Sequence, residues 1–227
     1  MILDNTLIDF DFIKKLEGFE TIGYVPDPEG SQSGVTIASG FDLGQRKFSD
    51  IEKLPKYIRD KLEPYLGLKG KEAEKIASKL KITEAEANII NEFAKNEAIT
   101  KLRTKWEKTT GTSFNNLSRE QATILTSVAF QHGDLEKKAP NFWKQTTSGD
   151  WGSAYKNLLD WDDTGYGIKP GARPSKYQSR REEEVKYLLR DRVTRGLIAN
   201  EYWDKNKYST AHGRGLIADA YRTNLNW

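Results

Sequence analysis

Residues 33–44 read SGVTIASGFDLG, and this stretch decides what fold we expect. Its three glycines are Gly34, Gly40 and Gly44. Thr36 and Asp42 are six positions apart, so on one straight strand they would share a face but lie about 20 Å apart. They can serve one reaction centre only if the chain reverses between them, and Ser39-Gly40 is where a glycine permits the reversal. We predict a folded ribbon there; an ordinary hairpin with a solvated aspartate is the alternative.

The segments around this ribbon have helical patterns. Apolar residues at positions 7, 10, 13 and 16 predict a first helix over 6–16 that ends near Glu17. Residues 20–44, rich in glycine and β-branched side chains, predict a small sheet or looped ribbon. Thr83 and Glu86 spell a capping box before a long helix that we expect to run to about Trp106. A second capping box at 118–121 precedes a helix that is apolar almost all round, which predicts a buried position.

Composition excludes several classes of protein. The chain has 227 residues, of which 37% are hydrophobic and 30% charged, and this balance is typical of a folded globular protein. No apolar stretch reaches the roughly 20 residues that a bilayer crossing needs, so we expect no membrane insertion. The start carries acids where a secretory signal needs bases, so we expect synthesis in the cytoplasm without a signal peptide. The absence of cysteine excludes disulfides and thiolate nucleophiles.

Charge is unevenly distributed along the chain. Residues 1–100 carry 14 basic and 18 acidic side chains, whereas residues 101–227 carry 22 basic and 15 acidic ones. A basic half can attract nucleic acid, anionic lipid or an acidic polymer of the cell wall. Acids are mixed among these bases, which argues against a nucleic-acid-binding protein. That class stays as an alternative, with steeply salt-dependent binding as its signature.

The available side chains favour carboxylate chemistry. The two histidines, His132 and His212, lie far apart in sequence, and neither an HExxH nor a GxSxG motif occurs. Glycoside hydrolysis needs one carboxylic acid to protonate the leaving oxygen and a second carboxylate to activate water or attack the sugar. Glu17, at the end of the first helix, suits the acid, although a solvated last-turn residue is the alternative interpretation. We expect no metal and no cofactor.

Two segments together carry a resemblance to a known family. KKLEGFETIGYVPD (14–27) followed by SGVTIASGFDLG resembles the catalytic start of phage-type lysozymes, in which a tyrosine follows the Glu-Gly pair as Tyr24 does here. The string of Thr36, Gly40, Phe41, Asp42, Leu43 and Gly44 is similar to that of pesticin-type muramidase domains of toxins and endolysins. Weaker similarities in the helical segments, in the same order, extend the resemblance over about residues 7–190.

The resemblance implies an α+β, mainly helical, phage-lysozyme-like fold. A small N-terminal β-ribbon lobe and a larger helical lobe would enclose a cleft. The chain would form a single domain over 1–227. The first helix, the ribbon and short helices would occupy about 7–82 and the helical lobe about 83–190. Residues 191–227 would form an extra C-terminal segment of unknown role.

The activity that the resemblance implies is hydrolysis of the β-1,4 bond between N-acetylmuramic acid and N-acetylglucosamine, with inversion. Glu17 would be the acid, Asp42 the base, and Thr36 would hold the water. In the T-even phage pattern the aspartate precedes the threonine, and Asp27 lies nearest that position, so Asp27 is the alternative second carboxylate. The candidate substrate-binding residues are Tyr24, Gln131, His132, Tyr166, Lys169 and Arg173, each of which has a structural or solvated-surface alternative.

The implied partner is bacterial peptidoglycan, and we expect a monomer. An immunity or inhibitor protein is a further partner that the resemblance implies. The enzyme would act on the wall from the periplasm after holin-type release or injection. Of three possible roles, we favour a phage endolysin over an injected effector or a bacteriocin domain. The alternative function is a catalytically inactive lysozyme-like module that binds wall glycans or another protein.

Overall fold

The computed structural model describes residues 7–26, 28–29, 33–159, 161 and 178–191. The helices are α1 (Phe10–Leu16), α2 (Lys56–Leu62), α3 (Gly70–Ala77), α4 (Glu84–Thr110), α5 (Arg119–His132), α6 (Leu135–Lys138), α7 (Pro140–Thr147), α8 (Trp151–Leu159) and α9 (Gln178–Leu188). The strands are β1 (Glu20–Tyr24), β2 (Thr36–Ala38) and β3 (Phe41–Asp42). The predicted mainly helical α+β class is confirmed.

The chain divides into two compact units. Among the described residues, those of 11–99 form one unit, and those of 7–10 together with those from 100 to 191 form the other. The sheet and its neighbours belong to the first unit, and α5 to α9 belong to the second. The single domain over 1–227, with parts at about 7–82, 83–190 and 191–227, stays a prediction.

The three strands form one antiparallel sheet in the order β1-β2-β3. Thr36 pairs with Asp42 on one side and with Tyr24 on the other. Directly opposed residues of antiparallel strands point to the same face, so these three side chains form a row across the sheet. The predicted reversal is confirmed: Ser39-Gly40 is the turn between β2 and β3, and Gly40 has φ 87°.

Two glycines of the opening stretch are required by a close backbone contact. A Cβ atom added to Gly34 would lie 2.3 Å from the Gly44 Cα and 2.3 Å from the Leu68 carbonyl oxygen. A Cβ added to Gly44 would in turn lie 2.5 Å from the Gly34 Cα. Real Cβ atoms are not found so close to backbone atoms, so Gly34 and Gly44 let three chain segments meet without a side chain between them.

The opposite face of the hairpin forms the core of the first unit. Ile37 and Phe41 are opposed across β2 and β3, and both are buried among apolar side chains of the following helices. The Phe41 ring meets the Phe93 ring of α4 edge-on, with centroids 6.1 Å apart. Packing on this face leaves the row of Tyr24, Thr36 and Asp42 on the other.

The long helix α4 begins where the capping box predicts. The Glu86 N–H donates to Thr83 Oγ1 at 3.2 Å, and the Thr83 N–H donates to Glu86 Oε2 at 2.8 Å. The helix ends at Thr110 rather than near Trp106, because the first residue that breaks it is Gly111, with φ 69°. Within the described part of the chain no helix, α4 included, has the length and apolar character to cross a bilayer.

The first helix is shorter than predicted, since α1 begins at Phe10. Asp9 makes long-range contacts instead of helical ones. Its N–H donates to Thr123 Oγ1 at 2.9 Å, and its carboxylate accepts from the Tyr187 hydroxyl at 2.9 Å. Arg119 pairs with the same carboxylate at 3.4 Å. These partners are far away in sequence, so the spacing of apolar residues gave no sign of them.

Helix α5 is the buried helix of the second unit, as predicted. Ser118 and Gln121 form its capping box, and residues 122–129 are buried without interruption. Its Ser127 hydroxyl donates to Glu184 Oε1 of α9 at 2.6 Å, and Glu184 also pairs with Arg180 and Arg181. Burying these charges is tolerable because each is hydrogen-bonded to a partner.

Candidate active site

Asp42 is held by two backbone amides at the end of β3. Its Oδ1 accepts from the Gly34 N–H at 3.0 Å and from the Gly44 N–H at 2.8 Å. Asp42 thereby caps the 3-10 helix Leu43–Gln45. No side-chain or backbone donor among the described residues reaches Oδ2. One oxygen is thus fixed, while the other is available to a ligand or a water molecule.

Thr36 is oriented by the same glycine. Its hydroxyl donates to the Gly34 carbonyl at 3.2 Å, and only 3% of the residue is exposed. Gly34 therefore holds Asp42 with its N–H and Thr36 with its C=O. Because the hydroxyl proton is used in this bond, Thr36 Oγ1 is left as an acceptor for a further donor.

Glu17 follows directly after α1 and is partly buried. Its charge influences the pKa of Tyr24 in β1. Burial raises the pKa of Tyr24, and the charges of Glu20, Glu17 and Asp42 raise that pKa further, in that order. Negative charges have this effect because they disfavour the phenolate. The charges of Glu17 and Asp42 therefore both reach Tyr24, which is paired with Thr36 in the sheet.

Sequence reasoning missed a lysine near Glu17. Lys95 of α4 is partly buried, and burial is the main reason why the pKa of Lys95 is lowered. Lys14 lowers that pKa too, whereas Glu17, Asp11 and Glu92 raise it. The surroundings of Glu17 thus include the partly buried Lys95 side chain, which lies 78 positions further along the sequence. Nothing in the sequence near Lys95 indicates its approach to Glu17.

The remaining candidates lie elsewhere. Gln131 and His132 are the last residues of α5 in the second unit, both partly buried, and the His132 ring lies 5.1 Å from the Trp161 ring. Their contact with substrate stays a prediction. The other candidates lie outside the described residues: Asp27, Tyr166, Lys169 and Arg173.

Across residues 7–26, 28–29, 33–159, 161 and 178–191, no group of three or more His, Asp or Glu side chains is arranged to hold a metal ion.

The family model of Pesticin, described as the bacterial toxin homologue of phage lysozyme (C-terminal part), matches residues 7–152. This range is more than half of the chain and contains Glu17, Thr36 and Asp42. The chain belongs to the pesticin family. This lysozyme-like family is one of peptidoglycan hydrolases, so peptidoglycan is the substrate that membership implies. No curated protein matches the chain significantly.

Proposed function

We propose that this pesticin-family protein is an N-acetylmuramidase that cleaves the β-1,4 bond between N-acetylmuramic acid and N-acetylglucosamine. One observation carries the proposal: Asp42 lies in a row across the sheet with the buried Thr36 and with Tyr24, and the charges of Glu17 and Asp42 both raise the pKa of Tyr24. Hydrolysis of a glycosidic bond needs two carboxyl groups that flank it, one as acid and one as base or nucleophile.

Glu17 is the general acid of the proposed reaction. Its carboxylic acid gives a proton to the glycosidic oxygen as the bond from that oxygen to the sugar C1 breaks. Glu17 lies directly after α1 and is partly buried.

Asp42 is the general base, and Thr36 helps to hold the attacking water. The water donates one proton to the available Oδ2 of Asp42 and its other proton to Thr36 Oγ1, whose own proton is bound to Gly34. Its oxygen lone pair then faces C1. As the new bond forms, Asp42 takes the first proton. A water on the opposite side from Glu17 gives inversion, for which carboxyl separations of about 6.5–9.5 Å are typical.

Tyr24, which is 37% exposed, offers a ring and a hydroxyl to the sugar beside this row. We propose Gln131, His132, Tyr166 and Arg173 as further substrate contacts. The proposed setting is lysis of bacterial walls from the periplasm by a phage endolysin or an antibacterial toxin, for which the family name gives the toxin as the nearer precedent.

The test compares charge-removing variants on purified sacculi. Glu17→Gln and Asp42→Asn should each lower the cleavage rate by about 10²–10⁴-fold, because each removes one proton-transfer group. Asp27→Asn is the matched control and should cleave at nearly the wild-type rate. Mass spectrometry of the products should show reducing-end muramic acid.

Other results would redirect the assignment. Anhydro-muramic ends would indicate a lytic transglycosylase, and released peptides an amidase. A wild-type protein that binds sacculi without cleaving them would be a wall-binding module. Loss of activity in Asp27→Asn with retention in Asp42→Asn would transfer the base to Asp27.

A further inference from the structure

The hairpin that carries Thr36 and Asp42 is held at its tip by a side chain of α4. The Ser39 N–H donates to Asn91 Oδ1 at 2.9 Å, and Asn91 Nδ2 donates to Ser39 Oγ at 3.0 Å. The Asn91 amide thus bonds one turn residue with both its ends. Two bonds from a planar group to one residue fix its orientation as well as its distance.

The held turn contains an unfavourable backbone conformation. Ala38 has φ 55°, and among the described residues it alone, apart from glycines, has a positive φ. A Cβ atom makes this region costly, so such residues persist where the surrounding structure fixes them. The Ser39 N–H belongs to the peptide unit directly after Ala38, and this is the N–H that Asn91 binds.

The same helix also contacts β3 and the segment after it. The Phe93 ring packs edge-on against Phe41. Glu97 Oε2 accepts from Arg46 at 2.8 Å, and the Arg46 guanidinium lies 4.1 Å from the centre of the Phe41 ring. These contacts hold side chains of the hairpin region, whereas Asn91 holds the backbone of the turn itself.

The turn controls the pairing register of β2 and β3. In the hairpin Ile37 pairs with Phe41 and Thr36 pairs with Asp42, directly behind the turn. A slip of one residue would move Asp42 to the opposite face of the sheet, because side chains alternate along a strand. Fixing the turn therefore fixes which face Asp42 presents.

We propose that Asn91 is a positioning residue of the active site, which acts through Ser39 to hold Thr36 and Asp42 where both bind the same water. This inference rests on the proposed function of those two residues. Asn91 contacts the turn and not the row itself, so its effect on the reaction is indirect.

The kinetic test uses soluble glycan strands and three variants. Asn91→Leu keeps the size of the side chain but removes both hydrogen bonds, and it should lower kcat at least tenfold with KM changed less than twofold. Asn91→Asp keeps the acceptor for the Ser39 N–H and accepts the Ser39 hydroxyl, so its kcat should stay within threefold of wild type. Asn88→Leu, at an exposed position of the same helix, is the matched control and should behave as wild type.

Amide hydrogen exchange tests the same inference without catalysis. The Gly34 and Gly44 amides donate to Asp42, so in Asn91→Leu they should exchange at least tenfold faster. The buried Leu62 amide of α2, in the same unit as the hairpin, reports opening of that whole unit and should be unchanged. If Asn91→Leu unfolds the whole protein, the Asn91→Asp variant provides the test. Wild-type exchange rates of its Gly34 and Gly44 amides would support the positioning role, and faster exchange would contradict it.

Two results would overturn the positioning role. One is wild-type kcat and wild-type glycine protection in Asn91→Leu. The other is an Asn91→Asp variant as impaired as Asn91→Leu, because hydrogen bonding would then not be the cause. An inactive wild-type protein whose glycine amides still depend on Asn91 would end the proposed function but support the structural link.

Discussion

Gly34 is the residue on which the geometry of the candidate site depends most directly. Its N–H and C=O orient Asp42 and Thr36, and its missing side chain admits the backbone of Gly44. The sequence indicated a reversal at Ser39-Gly40, but it could not reveal the Gly34 contact. That contact needs Leu68, which a local pattern does not include.

Gly34→Ala should lower the free energy of unfolding by about 3 kcal/mol, since the new Cβ would overlap backbone atoms that cannot rotate away. Gly18→Ala is the matched control. No atom lies within 4 Å of a Cβ placed there, so its effect should stay within about 0.5 kcal/mol. Chemical denaturation of both variants measures the difference; equal stabilities would contradict the close contact.

The Tyr24 hydroxyl reports the placement of both carboxylates. The pKa of Tyr24 should lie above its usual range, and Glu17→Gln and Asp42→Asn should each lower it, because each removes a negative charge that disfavours the phenolate. The pKa should stay raised in both variants, since burial is the largest cause. NMR titration of ¹³C-labelled tyrosine measures it, with Tyr24→Phe identifying the signal. A pKa unmoved by either change would show that the carboxylates face elsewhere.

At the scale of elements, sequence patterns predicted those helix features that depend on interactions between nearby residues. The capping boxes of α4 and α5 and the uninterrupted burial of α5 follow from side chains three or four positions apart. Helix ends were less predictable where distant groups decide them, as with the Asp9 contacts before α1. Asn91 and Lys95 escaped prediction for the same reason, because their partners lie on other elements.

The start of α4 should be sensitive to acid. The hydrogen bond from Lys61, followed by that from the Thr83 N–H, lowers the pKa of Glu86 in the folded state. The stabilisation is therefore complete above the unfolded-state pKa of about 4.3 and is lost as pH falls through the lower folded-state pKa. Glu86→Gln should cost roughly 1 kcal/mol at pH 7, and the difference from wild type should shrink towards pH 3.

Denaturation at pH 7, 5 and 3 checks this expectation. Glu84→Gln, an exposed change in the same first turn, is the control and should show no such pH-dependent difference. A Glu86→Gln penalty that stays constant down to pH 3 would mean that the charge is not responsible.

At the scale of the whole molecule, the family membership implied by the opening stretch is confirmed over residues 7–152. The ribbon and the order of the helices could be predicted because they depend on glycine spacing and apolar periodicity. The roles of the site residues stay predictions, since they depend on where a sugar binds.

Charge distribution gives an expectation for the intact protein. The excess of seven positive charges in residues 101–227 should attract the carboxylates of peptidoglycan stem peptides. Binding of Glu17→Gln to sacculi should therefore weaken several-fold between 50 and 500 mM NaCl, as measured by sedimentation. Sacculi whose stem-peptide carboxylates have been amidated are the control, and binding to them should not depend on salt. Equal salt dependence of binding to native and amidated sacculi would exclude this attraction.

The meeting of Gly34, Gly44 and Leu68 also limits how the hairpin can be transplanted. The Gly67 N–H donates to the Leu43 carbonyl at 3.0 Å, and the Gly70 N–H to the Ser33 carbonyl at 3.1 Å. A graft of residues 33–44 alone would leave the segment around Leu68 behind, and no side-chain redesign replaces a backbone partner. Any transplanted piece must therefore include at least residues 33–70, and a protein engineer would have to move that range intact.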